Sequence, residues 1–219
     1  MSAESGLKTF RDNNGLWENH DVMEVASPEG FARNPELVLS FYNQRRKQLF
    51  EANPNAAHKL LASLEENYAI QIITQNVDDL HERAGSTKIL HLHGELRKIR
   101  STGIASHIID WQDDLFLGDV CPYGHQLRPH IVWFGESVPK MEEAIEMCQD
   151  VDMCIIIGSS LQVYPAASLV SYIQRDIPIL YVDPRPATNF HITNSERLSI
   201  VAKTAVQAIE DIEYFVNQI

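Results

Sequence analysis

Cysteine is scarce, with three in 219 residues. An odd count in a mid-sized chain points to a reducing compartment rather than a disulfide framework, so the cytoplasm is the default expectation. No apolar run approaches the roughly 20 residues a bilayer-spanning helix needs. The opening MSAESGLKTF has no basic region followed by an apolar one, so no signal peptide is read there. Basic residues are also few: 18 Lys and Arg stand against 30 Asp and Glu, a formal net charge of −12. That balance argues against non-specific binding to nucleic acid or anionic lipid, whereas a lysine-rich protein partner would be attracted. Repeats and low-complexity linkers are absent as well.

What is present is a globular composition, 44% hydrophobic and 22% charged, sufficient for one large domain or a large and a small one. A monomer is the default. The most informative stretch starts at Tyr68. An Ile-rich run of strand length, Ala69 to Ile73, stops at Thr74-Gln75-Asn76-Val77-Asp78-Asp79, where amides and carboxylates cluster. A second short strand, Lys88 to Leu92, runs into His93-Gly94-Glu95. A strand ending in polar residues is where an α/β protein holds its ligand. A histidine before a glycine at such an end can present its imidazole with little cover.

Met1 to Asn34 reads as a long loop with short helical pieces, the kind of segment that is usually functional or mobile. Pro35 to Ala52 reads as a helix with proline in its first turn. Its apolar stripe of Val38, Phe41, Tyr42 and Leu49 also contains Arg45. Tyr42 and Arg45, three apart, share a face. One reading is an arginine snorkelling beside a tyrosine. The other is a cationic and a phenolic donor at the end of an apolar pocket, aimed at a carboxylate.

Ala56 to Asn67 is a second helix, and Arg97 to Gln126 looks like an irregular inserted module. Lys140 to Gln149 is an amphipathic helix, Val151 to Ile157 a buried strand, and Pro165 opens another helix. Pro178 to Val182 and Ser199 to Ala202 are strands, and Thr204 to Val216 is the closing helix. Strands alternating with helices predict an α/β fold, a Rossmann-like and mainly parallel sheet with helices on both faces. Three strand ends, Gln75-Asn76, Gly158-Ser159-Ser160 and Asp183, then line one crevice. Backbone N–H groups and serine hydroxyls suit phosphate, and an acid suits ribose hydroxyls. Together they point to a dinucleotide, although a glycine-serine turn alone is more often just a turn.

Six pieces in order, SAESG with TFR (Ser2 to Gly6, Thr9 to Arg11), TQNVDDLH (Thr74 to His81), HGEL (His93 to Leu96), RPHIVWFGE (Arg128 to Glu136) and GSSLQVYPAA (Gly158 to Ala167), resemble the sirtuins. These are NAD-dependent protein-lysine deacylases. The resemblance spans nearly the whole chain and implies roles for individual residues. His93 is the general base that takes a proton from the NAD ribose, and neighbouring His91 is structural. Gln75, Asn76, Val77 and Asp78 contact ribose and nicotinamide, with Asn76 also catalytic. Ala3, Phe10 and Arg11 belong to the cofactor-binding loop, Phe10 shielding the reactive carbon from water. Gly158, Ser159 and Ser160 form the phosphate and ribose turn, while Asp183 and Thr204 lie toward the adenosine. Val132, Trp133, Phe134 and Gly135 pair with the substrate backbone.

The products implied are nicotinamide, free lysine and O-acyl-ADP-ribose. The partners implied are acylated lysine side chains of proteins, with neither nucleic acid nor membrane. Residues 1–34, 68–96 and 128–219 would form the NAD-binding domain, 35–67 a helical insert and 97–127 the small module. A Tyr-x-x-Arg pair at Tyr42 and Arg45, together with Ala3, resembles the sirtuin class that removes succinyl and malonyl groups, with deacetylation also open.

Two departures from the family pattern stand out. The family holds a structural zinc with two Cys-x-x-Cys pairs in the small module. Here only Cys121 lies nearby, and Gly124 occupies the second position of its pair. No zinc is expected, and the module should be held by packing alone. A strand and a Gly-Ala-Gly turn precede the matching residues in the family, whereas nothing precedes Met1 here. The expectation is an NAD-binding domain incomplete at its start, with lower stability and NAD affinity. Two other readings are therefore carried: a non-catalytic NAD or acyl-lysine binding protein, and a sirtuin-like ADP-ribosyltransferase.

Overall fold

A computed structural model describes residues 1–8, 16–17, 20–187 and 196–218. The first segment is less loop-like than its composition suggests. A 3-10 turn, Ser2–Ser5, is followed by a two-residue antiparallel pair, β1 (Leu16–Trp17) and β2 (His20–Asp21), then by α1 (Val22–Val25) and α2 (Pro28–Arg33). Both helices are capped. Asp21 accepts from the Met23 N–H, and Ser27 accepts from the Gly30 N–H ahead of Pro28.

The long helix α3 (Pro35–Glu51) starts on an Asn34 side-chain cap, with Pro35 as its first residue. Its buried stripe matches the sequence pattern through Val38, Phe41, Tyr42 and Leu49. α4 (Ala56–Leu64) has a reciprocal cap in which Asn55 Oδ1 accepts from the Ala57 and His58 N–H groups, and His58 Nδ1 accepts from the Asn55 N–H. β3 (Ile72–Thr74), α5 (Leu80–Ala84) and β4 (Ile89–His91) follow, with β3 and β4 parallel.

The expectation of an irregular module from Arg97 is corrected by β5 (Gly94–Ser101), β6 (Ile108–Asp110) and β7 (Leu127–Ile131). These form an antiparallel sheet in the order β6-β5-β7. Charged residues alternate with Leu96 and Ile99 along β5, so the strand carries only one apolar face and is easily read as loop. The module packs on Leu39, Ile99, Leu115, Cys121 and Leu127. Gly94 is held at φ +83, and a Cβ there would stand 2.0 Å from the His130 carbonyl oxygen. Glycine at this position therefore permits the close β5–β7 crossing, a demand separate from any exposure of His93.

α6 (Met141–Gln149), β8 (Cys154–Ile157), β9 (Ile179–Val182), β10 (Leu198–Val201) and α7 (Ile209–Val216) complete the chain. The helix expected from Pro165 is a 3-10 segment, Ala166–Tyr172. β8, β9 and β10 form a parallel sheet ordered β10-β9-β8. Strand alternation makes the layers. Ile179 and Tyr181 pack with α6 and the 3-10 segment, whereas Leu180 and Val182 pack with Ile212 and Val216 of α7. This is the Rossmann-like α/β arrangement, with the carboxyl ends of β8, β9 and β10 at one edge.

Candidate active site

Parallel strands deliver their last residues to a common edge. After β3 come Gln75 and Asn76; after β8, Gly158, Ser159 and Ser160; after β9, Asp183. Hydrogen bonds draw these ends together. Gln75 Nε2 donates to Ser159 Oγ at 3.3 Å, and the same oxygen accepts from the Leu161 N–H at 3.2 Å. The Tyr181 hydroxyl donates to the Ser159 carbonyl at 2.8 Å. Gly158 adopts φ +63, and a Cβ on it would lie 2.6 Å from the Met1 nitrogen. Backbone thus approaches backbone where the sequence places its glycine. Asp183 is buried and accepts from the Arg185 N–H at 2.9 Å.

The chain start folds onto the same edge. Asn76 Nδ2 donates to Ser2 Oγ at 2.9 Å, and the Ser2 hydroxyl bonds the Asp78 carboxylate. Burial raises the Asp78 pKa despite that bond and the one from the Leu80 N–H. Glu4 accepts from the Val206 N–H, which brings the exposed Ala3 to the rim that also holds Thr204. Ser2 lies in the SAESG piece, but its contacts with Asn76 and Asp78 carry no periodic or charge signal in the sequence.

His93 follows β4, with Nδ1 3.2 Å from the Gln75 carbonyl oxygen. A carbonyl only accepts, so Nδ1 carries the proton and Nε2 keeps the lone pair. Burial lowers the His93 pKa, partly offset by that carbonyl. His91 is tied down differently, with Nε2 2.7 Å from Glu82 Oε1 and Nδ1 3.4 Å from the Asn76 carbonyl. Burial would lower its pKa, but the Glu82 contact and the charges of Glu82 and Glu95 raise it.

The segment after β7 adjoins His93, because the Val132 N–H donates to the His93 carbonyl at 2.9 Å. The Trp133 N–H donates to Glu136 and the Phe134 N–H to the Ala26 carbonyl. These three N–H groups serve the fold, so a substrate backbone pairing here would have to use carbonyls or Gly135. Phe134 and Gly135 are exposed and Trp133 is buried.

Trp133 Nε1–H donates to the Tyr42 hydroxyl at 2.9 Å. Tyr42 is fully buried, and Arg45 is only 8% exposed. The Arg45 guanidinium lies 4.9 Å from the centre of the Trp17 ring, which meets Tyr42 edge-on at 6.2 Å. The expected pocket end is thus covered by Trp17. Phe10 and Arg11 fall outside the described residues. Val77 lies beside the site, its carbonyl accepting from the Leu96 N–H at 2.7 Å. Among the described residues, no group of three or more His, Cys, Asp or Glu side chains is placed to hold a metal ion.

The model of the Sir2 family matches residues 1–165. The chain belongs to the Sir2 family. A Helicobacter pylori protein named NAD-dependent protein deacylase is 56% identical over 212 residues, spanning 97% of this chain and 91% of that protein. A Bacteroides thetaiotaomicron protein of the same name is 46% identical over 219 residues, spanning 97% of this chain and 92% of that protein. Among solved structures, a mutant Sir2 homologue bound to ADP-ribose superposes with a TM-score of 0.87. It is 36% identical, and the match covers 99% of this chain and 88% of that one. A Sir2 homologue in complex with NAD has a TM-score of 0.85 at 37% identity, covering 99% of this chain and 86% of that one.

Proposed function

We propose that this Sir2-family chain is an NAD-dependent protein-lysine deacylase with a preference for acidic acyl groups such as succinyl and malonyl. NAD fits the donor set: side-chain amides at Gln75 and Asn76, hydroxyls at Ser159 and Ser160, and the buried carboxylates of Asp78 and Asp183. When bound, NAD supplies the ADP-ribosyl acceptor for the acyl group, with nicotinamide leaving. His93 Nε2 accepts a proton from the ribose hydroxyl, since Nδ1 is committed to the Gln75 carbonyl. Asn76, steadied by Ser2, orients the ribose side of the site. Asp78, held by Ser2 and the Leu80 N–H, would face the nicotinamide carboxamide.

The acyl preference is carried by one observation. Tyr42, which shares the buried face of α3 with Arg45, joins the segment beside His93 through the Trp133–Tyr42 bond. A carboxylate on the acyl chain would meet the Arg45 fork and the Tyr42 hydroxyl once the Trp17 ring gives way. Residues 1–34, 68–96 and 128–219 serve NAD in this reading, residues 35–67 the acyl group, and 97–127 form the small module. The test is turnover with NAD and matched succinyl- and acetyl-lysine peptides, following nicotinamide and free lysine. Faster desuccinylation, lost in Arg45→Met and abolished in His93→Ala, is the expected result. Faster deacetylation by the unaltered chain would overturn the acyl preference, and no nicotinamide release from the folded chain would overturn the activity.

A further inference from the structure

Behind Tyr42 stands a connected set of side chains that the deacylation chemistry does not use. Glu136 accepts two bonds from Arg128, at 2.7 and 3.1 Å, and Arg100 Nη2 lies 3.1 Å from each Glu136 oxygen. Glu136 also accepts from the Trp133 N–H at 2.8 Å. The Arg128 guanidinium carbon lies over the Trp133 ring, 3.3 Å from its centre. Two guanidiniums share one carboxylate, so the cluster carries a net positive charge beside a buried indole. Burial lowers the Arg128 pKa, and the Glu136 bond counters it. The Trp133 ring is thereby fixed by a salt bridge on its face and a hydrogen bond on its backbone, and it passes one N–H to Tyr42.

A phenolic hydroxyl has one proton and two acceptor positions. With Trp133 filling one of these, the Tyr42 proton points away from the indole. Among the described residues no acceptor receives it, although the side chain is fully buried. Burial also pushes the Tyr42 pKa upward, so the hydroxyl stays a donor.

We propose that Trp133, held by Arg128 and Glu136, is a positioning residue that aims the Tyr42 hydroxyl at the carboxylate of an acidic acyl group. The cationic cluster behind the indole favours that same carboxylate electrostatically. This role rests on the acyl preference proposed above. It assigns a selectivity function to the Trp133 side chain, apart from any backbone contact its segment makes with substrate.

Trp133→Phe keeps an aromatic ring beside Arg128 and removes the N–H together with part of the indole's volume. We expect the succinyl-to-acetyl ratio of kcat/KM to fall about five- to tenfold, the scale of one hydrogen bond, through KM for the succinyl peptide. Tyr42→Phe should give a similar fall, and the double variant should be no worse than Tyr42→Phe alone. Equal losses on both peptides, or additive losses in the double variant, would overturn the positioning role while leaving the acyl preference intact. An unaltered chain that prefers acetyl-lysine would overturn both. A measurement on the unaltered chain guards against a variant that misfolds. Without NAD, the Trp133 indole N–H resonance should move on adding succinyl-lysine peptide and stay put with acetyl-lysine peptide. Equal responses would overturn the proposal.

Discussion

The Nδ1 of His93 sits 3.2 Å from the carbonyl oxygen of Gln75, the residue that also reaches across to Ser159. One carbonyl therefore sets the tautomer of the imidazole, while its own side chain ties β3 to the β8 turn. Because burial lowers the His93 pKa, the ring stays neutral to more acid pH than a free histidine. The acid limb of kcat/KM should fall below the usual histidine value of about 6.5. His93→Ala should cost at least about a hundredfold in kcat. An acid limb at or above that value would contradict the assignment of Nε2 as the base.

Arg45 lies 4.9 Å from the centre of Trp17 and shares the buried face of α3 with Tyr42. Arg45→Met should raise KM for a succinyl-lysine peptide by about 10- to 100-fold, the scale of a charge-assisted hydrogen bond, and affect an acetyl-lysine peptide far less. Steady-state kinetics on matched peptides measure it.

Two buried histidines should make the fold acid-sensitive. The His58 and His81 rings meet edge to face at 4.9 Å. Burial, then the neighbouring His81 charge, pushes His58 down to about 3. Burial pushes His81 down to about 4. Both are neutral in the folded and the unfolded chain well above pH 6.5. As pH falls from there toward the folded values, the unfolded chain takes up protons that the folded chain refuses, so stability falls with pH. Urea midpoints should drop between pH 7 and pH 4.5, and His81→Leu should flatten that dependence.

Arg46 is 1% exposed. It donates to the Leu96 carbonyl at 3.1 Å, and to Asn43 Oδ1 and the Asp113 carbonyl at 3.0 Å each. Burial lowers its pKa to about 10, so it remains charged at neutral pH. It fastens the small module to α3. Arg46→Met should destabilise the chain by about 3 kcal/mol in urea unfolding, since several buried partners lose their donor together.

Cys121 Sγ lies 3.4 Å from Ser101 Oγ inside the apolar cluster of the small module. Prolonged treatment with a chelator should leave the thermal midpoint unchanged. Elemental analysis should find less than about 0.1 zinc per chain, far from the one ion of a closed thiolate site. A chelator-induced drop in the midpoint would show that the module needs a metal.

The candidate site is legible where local pattern carries it. Gln75, Asn76, Asp78 and the Gly158 turn follow apolar strands, and Tyr42 and Arg45 recur at helical spacing. Arg46, one residue on, was illegible. An arginine beside another arginine reads as solvated surface, and only the carbonyls of Leu96 and Asp113 make its burial tolerable. The β-strands of residues 97–126 were missed for a related reason. A strand exposed on one face carries too few apolar residues to stand out from loop.

By itself the sequence determined the long helix from Pro35, the amphipathic and closing helices, the parallel strands, the polar strand ends and the family. Capping residues, apolar periodicity and motif order are local properties, present before the chain folds. Only the tertiary structure decided which groups meet. Trp133 reaches Tyr42 from 91 residues away, and Asn76 reaches Ser2 from 74 residues away. Such contacts depend on how sheets and helices stack, and a buried hydroxyl acquires its direction only from the neighbour that stacking brings to it.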